Sequence, residues 1–250
     1  MGEPRTTCEE AAERGLPREG ARTYFVFQDA LVPRLRDQLM GLLSEEERGR
    51  QRRFIRDSDR DLFLLAHGML RRVLALHAGV APQKLRFETG AHGRPELSGP
   101  AAVGSLSFNL THTPGLAACA VANGRAVGVD AEHLAREIDL RAVSARVFSA
   151  IERRGLDGLS GEDAREQFFA HWTLKEAYVK ALGLGFSLPL RRITTLPTRD
   201  GRALLQLEDM EDDASRWTLR THRAGSQHRI AVALEAGTDA PVTFEELSLA

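Results

Sequence analysis

Lysine is almost missing from this chain. Of its 34 basic residues only Lys84, Lys175 and Lys180 are lysines, which leaves 31 arginines. Cysteine is nearly as scarce. Cys8 stands in a polar opening stretch and Cys119 in an apolar run, so the two do not read as a structural disulfide. No apolar run approaches the roughly 20 residues of a membrane helix, and no signal-peptide pattern opens the chain. Net charge is missing too: a formal −1 gives no whole-molecule case for nucleic acid or membrane binding, so any anion site must be local. What remains reads as a soluble cytoplasmic protein of 250 residues, 42% hydrophobic and 28% charged, long enough for one large core or two lobes.

Two of the three lysines flank one glutamate, in the run His171-Trp172-Thr173-Leu174-Lys175-Glu176-Ala177-Tyr178-Val179-Lys180. An ammonium is a compact point charge and a guanidinium a broad planar fork, so the two do not interchange at a crowded site. On a helix Trp172, Glu176 and Lys180 share a face, while Lys175 points elsewhere and could reach a phosphate from another side. A surface Glu–Lys pair worth ~0.3–0.5 kcal/mol would explain the spacing but not the choice of lysine. The other reading is a metal ligand or base, Glu176, beside a phosphate-neutralising Lys180.

Residues 1–20 are polar and aperiodic, which predicts a mobile tail. Thr23 to Phe27 reads as a strand, and Ser44 followed by three glutamates as a capped helix start. Leu62, Leu65, Met69, Leu70, Val73 and Leu76 recur at helical spacing up to Gly79. Leu106 to Leu110 is a strand, and Asn123-Gly124 between two apolar runs predicts a hairpin. The plan then recurs. Leu65 to Arg71 parallels Phe169 to Lys175, Ser44 and its acids echo Ser149 and Glu152, and Thr111-His112 echoes Thr221-His222. The expectation is an α+β protein of two similar α/β lobes, 21–124 and 125–250, with a site in the cleft between them.

Asp130 and Glu132 lie two apart at the end of a strand-like run, so both carboxylates point to one side. Taken alone they favour a solvated acidic loop; the alternative is a hard-cation site with Glu176 as third carboxylate. In Asn109-Leu110-Thr111-His112-Thr113 a histidine between hydroxyl residues is either structural or a phosphate donor. Gly93-Arg94-Pro95 is a turn carrying a cation, and the arginine-rich run from Arg48 to Arg56 reads as a solvated helix face.

Phe108 to Thr113, Gly128 to Glu132 and Trp172 to Lys180, in that order, resemble the 4′-phosphopantetheinyl transferases, in their larger two-lobed surfactin-type group. Weaker similarity runs from about Glu45 through Leu190. The resemblance implies transfer of phosphopantetheine from coenzyme A to a serine of an apo acyl or peptidyl carrier protein, with release of adenosine 3′,5′-bisphosphate. It implies Mg²⁺ (or Mn²⁺) on Asp130, Glu132 and Glu176, with Glu176 as base for the serine, directly or through water. Lys180 would meet the pyrophosphate; Thr111, His112 and Arg50 would meet phosphates of coenzyme A, with Lys175 nearby. Gly93, Arg94 and Pro95 would border the adenine, and Phe186 and Leu188 the docked carrier. Leu62 stands where many relatives carry an arginine for the 3′-phosphate, and Arg60 is the substitute. A coenzyme A- or carrier-binding protein without activity, and a Mg²⁺-dependent phosphodiesterase, are the alternatives. The implied state is a monomer, with no nucleic acid or membrane partner.

Overall fold

The computed structural model describes residues 5–90, 95–98, 106–183 and 188–249. Strand β1 (Thr6–Thr7) and helix α1 (Cys8–Arg14) precede strand β2 (Ala21–Phe27). Helices α2 (Pro33–Met40), α3 (Glu45–Arg52) and α4 (Asp57–Ala78) follow. A ribbon of β3 (Arg86–Thr89) and β4 (Pro95–Ser98) leads to the hairpin of β5 (Leu106–Thr113) and β6 (Leu116–Asn123). Then come β7 (Val127–His133), α5 (Leu140–Val147), α6 (Ala150–Leu156) and α7 (Gly161–Leu182). Strands β8 (Ile193–Pro197), β9 (Arg202–Leu207), β10 (Trp217–Ala224), β11 (His228–Glu235) and β12 (Val242–Ser248) complete the described chain.

The strands form two five-stranded sheets, ordered β1-β12-β2-β6-β5 and β7-β11-β10-β9-β8. Strand alternation sorts their side chains into layers. On β6, Ala117, Cys119 and Val121 pack with Leu64, Leu65 and Met69 of α4. Its intervening residues Ala118, Ala120 and Ala122 pack with Val127, Val129, Ile230 and Val232 of the second sheet. On β11, Ala231 and Ala233 turn the other way, to Leu174, Ala177 and Tyr178 of α7. The order is therefore helix, sheet, sheet, helix, in a mixed α+β fold. Leu64, Leu65 and Leu74 of α4 are fully buried, each contributing about 1.5–3 kcal/mol by leaving water. Among the described residues no helix is long and apolar enough to cross a membrane.

Local chemistry sets the helix ends. Ser44 and Glu47 close a capping box on α3, and Ser149 and Glu152 close one on α6. Both 22-residue helices stop at a left-handed glycine, Gly79 after α4 and Gly183 after α7.

Three expectations are corrected. Residues 6–14 are not a tail: β1 pairs with β12, and Ala11 of α1 is fully buried in the core beside α4. Asn123-Gly124 does not close a hairpin. Both edges of β6 are taken, by β2 and β5, so β7 enters the second sheet instead. Nor does the second half keep to itself, because β12 returns to pair in parallel with β2 of the first sheet.

Candidate active site

Helix α7 and strand β7 approach more closely than a side chain at position 128 would permit. A Cβ on Gly128 would stand 2.1 Å from Ala177 O and 2.4 Å from Ala181 N, so only glycine fits. Asp130 and Glu132 follow Gly128 along the same strand face and meet α7 one and two turns back. Lys180 Nζ donates to Asp130 Oδ1 at 2.7 Å, to Thr111 Oγ1 at 3.2 Å and to Val129 O at 3.2 Å. Trp172 Nε1 donates to Glu132 Oε1 at 3.1 Å, and Arg136 pairs with the same oxygen.

Charge is unbalanced here. Asp130 is 7% exposed, and its Oδ2 is buried with no partner among the described residues. Burial raises the Asp130 pKa against the pull of Lys180; burial, then the charge of Asp130, raises that of Glu132. Glu176 is pushed up to about 7, first by burial and then by the Asp130 charge, with Lys180 opposing and Glu132 adding. Lys180 and Arg136 thus offset only part of what burial and mutual repulsion impose on the three carboxylates.

Strand β5 reaches this edge through every second side chain. Asn109 Oδ1 accepts from Val129 N at 2.9 Å, Thr111 meets Lys180, and Thr113 Oγ1 accepts from His133 N at 3.2 Å. Asn109 and Thr113 thus cap open N–H groups of β7, which sits at the edge of its sheet. Their sequence signal is the polar alternation 109, 111, 113, which places these side chains on the strand face opposite His112.

His112 points to the opposite face of β5, into a pocket of ≈ 710 Å³ that Arg50, His67, Arg86 and Pro95 also line. Although His112 is exposed on one side, its pKa is lowered by burial of the rest and by the charges of His67 and Lys180. Arg50, Pro95 and His112 are therefore brought together as expected. Arg60 is not: its guanidinium donates to Phe54 O at 2.9 Å and to Asp57 Oδ1 at 2.7 Å, closing the turn before α4. Lys175 is not at the site either. It is 1% exposed, pairs with Glu152 Oε2 at 2.8 Å and donates to Leu190 O at 2.7 Å inside the core. Leu188 is half-buried against the α7 core, while Gly93, Arg94 and Phe186 lie outside the described residues.

Among the described residues no three His, Cys, Asp or Glu side chains stand together as a metal cage. Lys180 and Arg136 take carboxylate oxygens that such a cage would use. The donor set still fits the chemistry of a small hard cation: three carboxylates, one with an orphaned buried oxygen, of the kind that holds Mg²⁺ together with phosphate oxygens and water.

The family profile of the 4′-phosphopantetheinyl transferase superfamily matches residues 126–233, the span from β7 into β11 that carries both carboxylates and the whole of α7. The chain is 38% identical over 149 residues to the 4′-phosphopantetheinyl transferase HetI of Nostoc sp., covering 60% of this chain and 63% of that one. To the 4′-phosphopantetheinyl transferase psf-1 of Bacillus pumilus it is 33% identical over 175 residues, 70% of this chain and 72% of the relative. To the 4′-phosphopantetheinyl transferase Sfp of Bacillus subtilis it is 26% identical over 232 residues, 90% and 99% of the two chains. With matches that run through the carboxylates, the lysines and most of the chain, this protein belongs to the 4′-phosphopantetheinyl transferase superfamily.

Proposed function

We propose that this protein transfers 4′-phosphopantetheine from coenzyme A to a serine hydroxyl of an apo carrier protein, releasing adenosine 3′,5′-bisphosphate. The observation that carries the reading is the meeting of Asp130, Glu132 and Glu176 with Lys180 and Thr111 along the edge where β5 and β7 face each other. Phosphoryl-type transfer needs charge neutralisation and alignment more than covalent help from the protein.

Each residue then has a task. Glu176, with a pKa near the working pH, accepts the proton of the attacking serine. The serine oxygen bonds to the phosphorus that carries the pantetheine arm, and the bond from that phosphorus to the bridging oxygen breaks. The second phosphate leaves with the adenosine. Lys180, already reaching Thr111 and Asp130, holds a pyrophosphate oxygen and its growing charge. His112 and Arg50 hold the nucleotide end in the pocket beyond β5, with Pro95 on its rim. Asp130, Glu132 and Glu176 would hold Mg²⁺, which supplies a Lewis-acid charge to the pyrophosphate.

The two halves read as diverged copies, supported by matching capping boxes, matching 22-residue helices and the recurring motif offset. With both sides of the site on one chain, the protein acts as a cytoplasmic monomer. The carrier docks beside Leu188. Incubation with coenzyme A, Mg²⁺ and an apo carrier protein, read by intact mass, tests this. A phosphopantetheine adduct on the carrier is expected; cleaved coenzyme A without adduct, or no change at all, overturns the reading.

A further inference from the structure

Strands β5 and β7 are the edges at which the two sheets meet, yet among the described residues they do not pair with each other. On its other side β7 is bonded to β11, with Asp130 opposite Ala231 and Glu132 opposite Arg229. That ladder uses the N–H and C=O groups of the even residues, and the same parity continues past both ends: Leu134 N donates to Gln227 O at 2.7 Å and Ala126 O accepts from Glu235 N at 2.9 Å. The N–H groups of Val129, Ala131 and His133 therefore point toward β5. In a continuous sheet the next strand would take them at a spacing of about 4.7–4.9 Å. Here side chains take them instead.

Asn109 Oδ1 accepts from Val129 N and Thr113 Oγ1 from His133 N, so the β7 backbone is tied to β5 immediately before Asp130 and immediately after Glu132. Val129 is held twice, since its C=O accepts from Lys180 Nζ. The N–H between the ties, that of Ala131, is left to the carboxylate of Asp130, whose charged form it favours. The β5 residue between the ties, Thr111, turns its hydroxyl to Lys180 and not to the strand. Thr111 and Thr113 are 7% and 5% exposed, so little water reaches either hydroxyl. The two edges are thus joined at two points, and the gap between the joins holds Asp130, Thr111 and Lys180.

We propose that Asn109 and Thr113 are positioning residues for the transfer reaction: they fix the offset between the carboxylate segment of β7 and the coenzyme A held on β5. The proposal rests on the transfer reading above. Side chains of β5 alternate, so His112 faces the nucleotide pocket while 109, 111 and 113 reach β7 on the other face. The strand is the ruler between two ends of one substrate. Neither residue needs to touch the reacting phosphate; each acts through the backbone it holds. With a tie lost, segment 130–132 keeps its ladder to β11 and its place in the fold, but its offset from β5 is no longer set. An offset of about 1 Å between base and phosphate is enough to cost on the order of a hundred-fold in rate. The grip on the nucleotide is untouched.

Steady-state kinetics with coenzyme A, Mg²⁺ and an apo carrier protein test the ties. Thr113→Val keeps the branched shape and removes the acceptor; its kcat is expected to fall about ten-fold, with KM for coenzyme A within about two-fold of wild type. Asn109→Ala is expected to fall at least as far in the same way. Thr113→Ser keeps the hydroxyl and should return most of the rate, which a packing role for the threonine methyl would not allow. Amide hydrogen exchange is the second measurement: the His133 N–H should exchange faster in Thr113→Val, while that of Asp130, bonded to β11, does not. Should Asn109→Ala fail to fold, the two Thr113 variants carry the test. Unchanged kcat or unchanged His133 exchange in Thr113→Val, a loss lying wholly in KM, or a serine variant no better than the valine overturns the positioning role. If wild type modifies the carrier and the variants match it, only that role falls. If wild type leaves coenzyme A and carrier unchanged, the transfer reading falls and takes the role with it.

Discussion

The two halves of the molecule hold the same device and use it differently. In each, a capping-box glutamate at the start of a short helix is buried against a histidine and a cation on the following long helix. In the first half Glu47 meets His67 and Arg71, and the Arg71 guanidinium also donates to Pro82 O at 3.0 Å. In the second half Glu152 meets His171 and Lys175, and Lys175 also donates to Leu190 O. The difference is a threonine. Thr195 of β8 donates to Glu152 Oε1 from its N–H at 2.8 Å and from its hydroxyl at 2.9 Å, and its Oγ1 accepts from His171 Nδ1–H at 3.1 Å. Gln167 donates to the other ring nitrogen at 2.9 Å, so His171 is neutral and its pKa lowered, first by burial. That set is sealed, with Glu152, His171 and Lys175 no more than 2% exposed. In the first half an open pocket stands where Thr195 closes the second. One arrangement of side chains can be sealed inside the core in one place and line an open pocket in another.

The largest break in this contrast is Lys175→Met. It leaves Glu152 buried without a cation and is expected to cost about 3–5 kcal/mol in urea unfolding. Arg71→Met is expected to cost clearly less, because Glu47 lies at a pocket that water enters. Equal losses would erase the distinction between sealed and open. Next is Glu176, the proposed base. Its folded pKa of about 7 lies above its ordinary 4.5, so its contribution is fully present below pH 4.5 and is lost as pH rises through 7. Metal-free wild type should therefore lose about 2 kcal/mol across that window, discounted for partial exposure. Glu176→Gln should show a shallower profile there, because Asp130 and Glu132 still titrate, and no transfer, checked by chemical melts across pH and the mass assay. A matching slope in the variant would reassign the titration.

Smaller effects sharpen the picture. Lys180→Arg keeps the charge but not the tetrahedral reach to Asp130, Thr111 and Val129 O, and should slow transfer roughly ten- to hundred-fold by misplacing the phosphate. Rates equal to wild type would mean that any cation serves. The mildest is Thr195→Val, which opens the sealed set and should cost about 1–3 kcal/mol as Glu152 loses a donor. An unchanged melting curve would show that the hydroxyl is incidental.

The carboxylate pair, Glu176 and Lys180 were legible in sequence because strand and helix periodicities are local rules, and Gly128 to Glu132 obeys one while Trp172 to Lys180 obeys the other. Lys175 departs from its sequence expectation for a physical reason. Spacing shows that it leaves the face of Glu176, but not that α7 is covered on that side too, by α6 and β8. Its scarcity signal was real and its cause was different: three acceptors around a buried ammonium rather than a phosphate. Arg60 failed because a short-range turn closure competes for a guanidinium before any ligand does. The pairing of β12 with β2 spans most of the chain, and no local pattern encodes such a partner.

That last pairing sets an order of assembly. Strand β12 lies between β1 and β2, so a nascent chain emerging from its N-terminus presents β2 with an open edge until β12 has been made. The first half can collapse early around α4, but its sheet closes only when the last strand threads home, a long-range step of the kind that folds slowly. Strand β12 therefore acts as a clasp, and a chain arrested just short of it would carry the carboxylates of the proposed site on a complete second sheet beside a first sheet left open to aggregation.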